Sequence, residues 1–174
     1  MKEFNDPNIL VVDNFISDED CQFAIDFYNS YLNQGLFNKY DNNRLSIVNP
    51  RLTEVDYLIS KYLPKVNKLL NKTFYVRDLF ISIYNTGAGF AAHTDYHELQ
   101  FRESLSILFY FNDDFTGGEL NFTKKDLLYK PKKGSILIFP CNKNEYEHEV
   151  KTVTSGVRYA MPVEINENDA IKVY

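Results

Sequence analysis

Cysteine is nearly absent from these 174 residues: Cys21 and Cys141 are the only two, far apart and in no metal-binding or redox spacing. That excludes a disulfide framework and points to two reduced thiols in a reducing, cytoplasmic compartment. Long hydrophobic runs are also missing, since nothing approaches the roughly 20 apolar residues that a membrane span requires. The opening stretch carries Glu3, Asp6 and Pro7 before a four-residue apolar run, too short and too acidic for a secretory signal, so a soluble protein without a membrane partner is expected. Basic residues do not dominate: 19 Lys and Arg are interspersed with 24 Asp and Glu, for a net charge of −5. Without a basic stripe, no nucleic-acid partner is expected. Tryptophan does not occur, and histidine occurs three times, at His93, His97 and His148. There is no internal repeat and no low-complexity tract.

What is abundant is aromatic. Fourteen Phe and thirteen Tyr, within a hydrophobic share of 44%, favour an ordered, β-rich fold. The length fits a single domain over 1–174. Ile9–Val12 reads as a short strand. Ser17, with Asp20 three residues on, resembles a capping box for a helix over about 18–33, with Cys21, Ala24, Ile25, Tyr28, Tyr31 and Leu32 as its apolar stripe. Gly35–Pro50 has no sustained period and reads as a loop and candidate lid. A second helix over about 52–70 follows from Val55, Leu58, Ile59, Tyr62, Leu63, Val66, Leu69 and Leu70, with a kink expected at Pro64.

Beyond Asn71 the pattern changes to strands. They are expected at 73–84, 105–111, 119–122, 135–139, 148–153 and 157–165, separated by Gly, Asp, Asn and Lys-rich turns. Helices first and strands afterwards predict an α+β, mainly β domain, with 1–72 as helical support and 73–174 as a double-sheet jelly-roll core.

His93 and Asp95 stand two apart, and on extended chain such residues project to one side, where both can reach one ion. His148 begins a later strand that can return to the same point. Two imidazoles and one carboxylate on one face leave open positions, the arrangement of non-haem iron(II) oxygenases. Ligand types alone leave zinc open, and His148 read by itself is equally a satisfied strand-end histidine. His97 reads as solvated. Arg158 follows His148 by ten residues across an apparent hairpin at Thr154, Ser155 and Gly156, and its planar fork suits a carboxylate, although a surface arginine is the plainer reading. Ser82 and Tyr84 share one strand face, and Ser106 and Tyr110 another, so a polar row would line the barrel interior beside Arg158 and suit a small polar ligand. Tyr110 is a candidate donor to the same carboxylate.

Taken together, these residues form an ordered series: Tyr84-Asn-Thr-Gly-Ala-Gly-Phe90, His93-Thr-Asp95, Ser106-Ile-Leu-Phe-Tyr110-Phe-Asn112, Phe115-Thr-Gly-Gly-Glu-Leu120 with Phe122, Lys130-Pro-Lys-Lys-Gly134, Phe139, His148-Glu-Val150 and Gly156-Val-Arg158-Tyr159. The series resembles the catalytic core of the prolyl 4-hydroxylase-like branch of the iron(II) and 2-oxoglutarate-dependent dioxygenases. Val11–Ser17 and Arg44-Leu-Ser46 resemble that family's amino-terminal half. The resemblance implies a double-stranded β-helix (jelly roll) with N-terminal supporting helices, metal at His93, Asp95 and His148, and 2-oxoglutarate with its far carboxylate on Arg158. Tyr84 and Tyr110 fall at positions that line or contact the co-substrate.

Further implied are iron(II), 2-oxoglutarate and dioxygen, with ascorbate in support, and hydroxylation of a prolyl or other peptidyl residue with release of succinate and carbon dioxide. A free amino acid or other small molecule is the alternative substrate, and a non-catalytic jelly-roll binding module the alternative function. Two departures bear on substrate binding: no tryptophan follows the Arg158 strand, and Pro162 interrupts its edge. Arg44 and the stretch 96–103 are expected near the entrance. The oligomeric state is not legible.

Overall fold

The computed structural model describes residues 6–39, 44–95, 104–141 and 144–167. His97 and the stretch 96–103 expected at the entrance lie outside them. Two helices precede most of the sheet: α1 (Asp18–Asn33) and α2 (Thr53–Leu70). The Asp20 amide donates to the Ser17 side chain at 3.2 Å, and the acidic residues Asp18, Glu19 and Asp20 occupy the positive end of the α1 dipole. α1 buries Cys21, Ala24, Phe27 and Tyr28, one turn after another. α2 buries Val55, Leu58, Tyr62 and Val66 and continues through Pro64 to a left-handed cap at Asn71.

A seven-stranded antiparallel sheet runs in the order β1 (Leu10–Val12), β10 (Ile136–Pro140), β6 (Ser104–Tyr110), β13 (Arg158–Asn166), β4 (Tyr75–Tyr84), β3 (Arg44–Val48) and β2 (Asn38–Lys39). A smaller sheet runs β5 (Phe90–His93), β11 (His148–Val150), β8 (Leu120–Phe122) and β9 (Leu127–Tyr129), and β7 (Thr116–Gly117) pairs with β12 (Val153–Ser155). This is the double-stranded β-helix. Period-two alternation gives each central strand two apolar destinations. Ile81, Ile83, Ile107, Phe109, Met161, Val163 and Ile165 meet the helices in one cluster. Tyr84, Leu108, Tyr110 and Ala160 instead meet Leu120, Phe122, Phe139 and Val150 in a second cluster. Tyr28 secures the helical layer by donating its hydroxyl to Ala160 O at 3.1 Å.

Three expectations are corrected. The segment 35–50 is not a loop throughout: β3 pairs with β4 from Arg44↔Tyr84 to Val48↔Phe80, because each side of that pairing supplies apolar residues at alternate positions. Pro162 does not interrupt an edge, since β13 is central. Its pairs with β4 pass from Ala160↔Ser82 to Val163↔Leu79, a gap where proline has no N–H to donate, while Pro162 still pairs with Leu108 on β6. Nor are His148 and Arg158 joined by a hairpin. β11 belongs to the small sheet and β13 to the large one, and the connection between them crosses the sandwich by way of β12.

The helices are tied by one acid. Buried Asp20 accepts from the Tyr57 hydroxyl at 3.0 Å, from the Tyr62 hydroxyl and from Lys61 Nζ at 2.6 Å. Burial alone would raise its carboxyl, but these donors and the Lys61 charge hold it below its ordinary 3.8. Because the folded value is depressed, the stabilisation is full above the unfolded value near 4 and is lost as pH falls through the folded one. Asp20→Asn is therefore expected to cost about 1–3 kcal/mol at pH 7, with the penalty shrinking towards pH 2 in urea unfolding. An equal penalty at both pH values would contradict this account.

Candidate active site

The register His148↔His93 between β11 and β5 sets the two imidazoles side by side, with ring centroids 4.3 Å apart. Asp95 lies two residues beyond the end of β5. His93 Nε2 is 3.4 Å from Asp95 Oδ1, and His148 Nε2 is 3.9 Å from Asp95 Oδ2. Candidate ligand atoms of all three residues lie within 4.8 Å of one another. Metal–ligand bonds of roughly 2.1 Å would place neighbouring ligand atoms on one octahedral face about 3 Å apart, so small side-chain adjustments suffice.

The surroundings prepare these atoms. His93 Nδ1 stands 2.9 Å from Ala91 O and His148 Nδ1 3.0 Å from Tyr146 O. A carbonyl can only accept, so each Nδ1 carries a proton and each Nε2 is the atom that faces Asp95: it donates to the carboxylate when the ring is charged and offers a lone pair when the ring is neutral. Burial pushes the His148 imidazolium below its ordinary value, against the opposing pull of Asp95, which favours the neutral ring that a metal needs. Burial would raise Asp95, but the His93 hydrogen bond, the His148 and His93 charges and the Ser106 hydroxyl, which donates to Oδ2 at 2.5 Å, hold it down to about 2. Phe90 lies 4.2 Å from the His93 ring and Phe139 4.9 Å from the His148 ring, which keeps the back of the cluster dry.

In front of it opens a cavity of about 230 Å³, lined among others by His93, Asp95, His148, Ser82, Tyr84, Ser106 and Arg158. Arg158 is 2% exposed and makes no ion pair among the described residues. Its guanidinium lies over the Tyr84 ring at 4.7 Å and the Tyr110 ring at 5.2 Å. Arg158 Nε and Tyr110 Oη have no hydrogen-bond partner there. Tyr110 is not part of the cavity wall but backs Arg158, and burial pushes its phenol up while Arg158 opposes the rise. A buried cation beside an orphaned hydroxyl is costly unless an anion completes it, so these residues suit a carboxylate ligand. The chemistry available is a facial metal with an anion anchored alongside.

Sequence reasoning missed Glu164, which lines the cavity at 6% exposure, and the stacking of Arg44 on Phe90 at 3.7 Å. Alternation from Arg158 would have found Glu164, six residues on and on the same strand face. The Phe90 and Arg44 pairing spans two strands and has no signal in sequence.

Residues 79–163 match the family described as the 2OG-Fe(II) oxygenase superfamily. A PKHD-type hydroxylase of Crocosphaera subtropica is 26% identical over 168 residues, covering 86% of this chain and 74% of that protein. Among solved structures, a prolyl-4-hydroxylase from Pseudomonas putida superposes with a TM-score of 0.73 at 15% identity, over 92% of this chain and 93% of that one. A Trichoplax adhaerens prolyl hydroxylase, in complex with a hypoxia inducible factor oxygen degradation domain peptide fragment, gives 0.72 at 16% identity, over 96% and 87%. At these identities the superpositions show the shared fold.

The Arg158 side chain needs the room that Gly118 leaves. At φ +67, a Cβ there would stand 3.1 Å from Arg158 Cδ and 3.0 Å from Phe115. Gly118→Ala is expected to cost roughly 2–4 kcal/mol, from left-handed strain plus overpacking, measured as a fall in the urea midpoint. An unchanged midpoint would show that this turn relaxes freely.

Proposed function

We propose that this chain, whose residues 79–163 match the 2OG-Fe(II) oxygenase superfamily, is a dioxygenase that uses iron(II), 2-oxoglutarate and dioxygen and hydroxylates a prolyl or other peptidyl residue. The observation that carries the reading is Arg158, buried and without an ion pair among the described residues, in the wall of the cavity onto which the three candidate ligands open. The hydroxylase name of the Crocosphaera relative supports hydroxylation, and the peptide held by the Trichoplax neighbour supports a peptidyl substrate over a free small molecule.

In this reading His93 Nε2, the Asp95 carboxylate and His148 Nε2 hold the iron, and Arg158 holds the far carboxylate of 2-oxoglutarate by its planar fork. Tyr110 Oη donates to the same carboxylate and the Tyr84 ring backs the guanidinium. When bound, the iron and 2-oxoglutarate supply the oxidising power, with release of succinate and carbon dioxide. The protein contributes orientation and dryness: Leu108, Leu120, Val150 and Phe90 line the cavity and exclude water. Asp95 completes the ligand set, which favours hydroxylation over halogenation. The whole of 1–174 acts as one catalytic unit, with ascorbate as a supporting reductant. Two buried thiols, Cys21 and Cys141, suit a reducing cytoplasm, and no described helix is long and apolar enough to cross a membrane.

The test is a screen of proline-containing peptides with iron(II) and 2-oxoglutarate, read as gain of one oxygen atom by mass and as succinate formed. Neither signal with any peptide, and no succinate without peptide, would leave a binding module. His93→Ala and His148→Ala are expected to abolish succinate formation, and undiminished turnover in either removes that ligand. Arg158→Leu should raise the 2-oxoglutarate concentration for half-maximal rate roughly 30-fold or more, the equivalent of losing about 2 kcal/mol of charged contact; an unchanged requirement contradicts the anchor.

A further inference from the structure

The inner face of the large sheet carries cross-strand rows of side chains beside the candidate ligands. Antiparallel register sets Leu108 on β6 opposite Pro162 on β13, and Val48 on β3 opposite Phe80 on β4. The register between β13 and β4 is the same on both sides of its gap, so Pro162 faces Phe80 across it. Leu108, Pro162, Phe80 and Val48 thus form one apolar row, about 14 Å long at the spacing of neighbouring strands. Polar rows run on either side: Ser106, Glu164 and Asp78 on one, and the hydroxyls of Ser82 and Ser46 on the other.

Most of the apolar row is not core. Leu108 belongs to the second apolar cluster, but Pro162, Phe80 and Val48 belong to neither cluster. Leu108, Pro162 and Phe80 instead border the cavity onto which the candidate ligands open. Exposure rises along the row, from 6% at Leu108, through half-buried Pro162 and Phe80, to 43% at Val48. Strand β2 pairs only with Leu45 and Ser46, so Val48 lies at the open edge of the sheet. The row is therefore a track from the candidate metal site to solvent. The polar groups beside it are engaged within the protein: Ser106 donates to Asp95, Arg77 pairs with Glu164 and Asp78, Asn49 donates to Asp78, and Ser46 and Ser82 bond each other at 3.0 Å. Arg44, at the same mouth, is stacked over Phe90 at 3.7 Å. Among the described residues, the surface that these pairings leave for a ligand is the apolar row, and covering it removes hydrocarbon from water.

We propose that Phe80 is a specificity-determining residue: with Pro162 and Val48 it selects a peptide whose reacting side chain is neutral and apolar and whose neighbouring side chain is apolar as well. The inference rests on the reading of the chain as a peptidyl hydroxylase with Arg158 as the co-substrate anchor. An extended peptide advances about 3.3 Å per residue, so a row of about 14 Å spans more than the reacting residue. The reacting ring or aliphatic chain lies over Pro162 and Phe80, and the adjacent side chain over Phe80 and Val48, so Phe80 meets both. A charged or amide side chain in either position loses water without gaining a partner, which sets the discrimination.

The experiment is anaerobic calorimetric titration of the full chain, with iron(II) and 2-oxoglutarate present, by three capped peptides. N-acetyl-leucyl-prolyl-leucine amide is apolar throughout, N-acetyl-glutaminyl-prolyl-glutamine amide has polar neighbours, and N-acetyl-leucyl-glutaminyl-leucine amide has a polar residue at the reacting position. The first is expected to bind about tenfold tighter or more than either of the others. Phe80→Ala should reduce both ratios to near one, Phe80→Leu, which keeps an apolar surface, should retain most of each, and Val48→Gln should reduce the ratio for the neighbours alone. Equal affinities, no binding of the all-apolar peptide, or preferences that survive Phe80→Ala overturn the proposal. A parallel fall in 2-oxoglutarate affinity in Phe80→Ala also overturns it, since the whole cavity would then have collapsed. If Phe80→Ala does not fold, the exposed Val48 carries the test, and a preference for leucine neighbours that survives Val48→Gln overturns the proposal. The hydroxylase reading fails separately: preference for the apolar peptide without iron-dependent succinate formation retains the track and removes the reaction, and succinate formation without that preference does the reverse.

Discussion

The antiparallel pairing of β11 on β5 is the constraint from which the rest of the site follows. It places His148 opposite His93, 55 residues earlier in the chain, and leaves Asp95 to close the third side from just beyond the strand. A slip of one residue in that register would turn one imidazole to the opposite face of the sheet. Backbone carbonyls of Ala91 and Tyr146 then fix both rings, so the geometry is held by main-chain atoms rather than by mobile side chains.

The large sheet solves a second problem. Its outer face meets α1 and α2 in an apolar layer, which frees its inner face to carry groups that no ordinary core would accept: Ser82, Ser106, Arg158 and Glu164. Each is positioned by a central strand with partners on both sides, and burial gives the Arg158 charge a reach that surface groups lack. The same alternation that packs Met161, Val163 and Ile165 against the helices aims Arg158 and Glu164 into the cavity. Polarity inside the sandwich is therefore a consequence of strand period, and the helices supply the stability that tolerates it.

Much of this was legible from sequence where the physics is local. The Ser17 cap and the α1 stripe follow from spacing alone, as do most of the strands after Asn71, because turn residues and period two mark them. The segment 35–50 misled because β3 alternates too briefly to stand out, and it becomes a strand only by pairing with β4. The apparent hairpin after His148 misled because Thr154 and Ser155 belong to the short strand β12 and only Gly156 bends the chain, so that β11 and β13 join different sheets. Pro162 misled because proline usually marks an edge, whereas here its missing N–H falls in a gap of the ladder with β4 while the β6 side remains paired.

The sequence by itself determined the kinds of groups present, the helical and extended stretches, and the short-range pairs such as His93 with Asp95, since each depends on residues within a few positions of one another. Tertiary structure decided which distant groups meet: His148 on His93, Arg158 over the Tyr84 and Tyr110 rings, Glu164 beside Ser106. Those contacts depend on strand order and register across two sheets, quantities set by the packing of the whole domain and by no single stretch of chain.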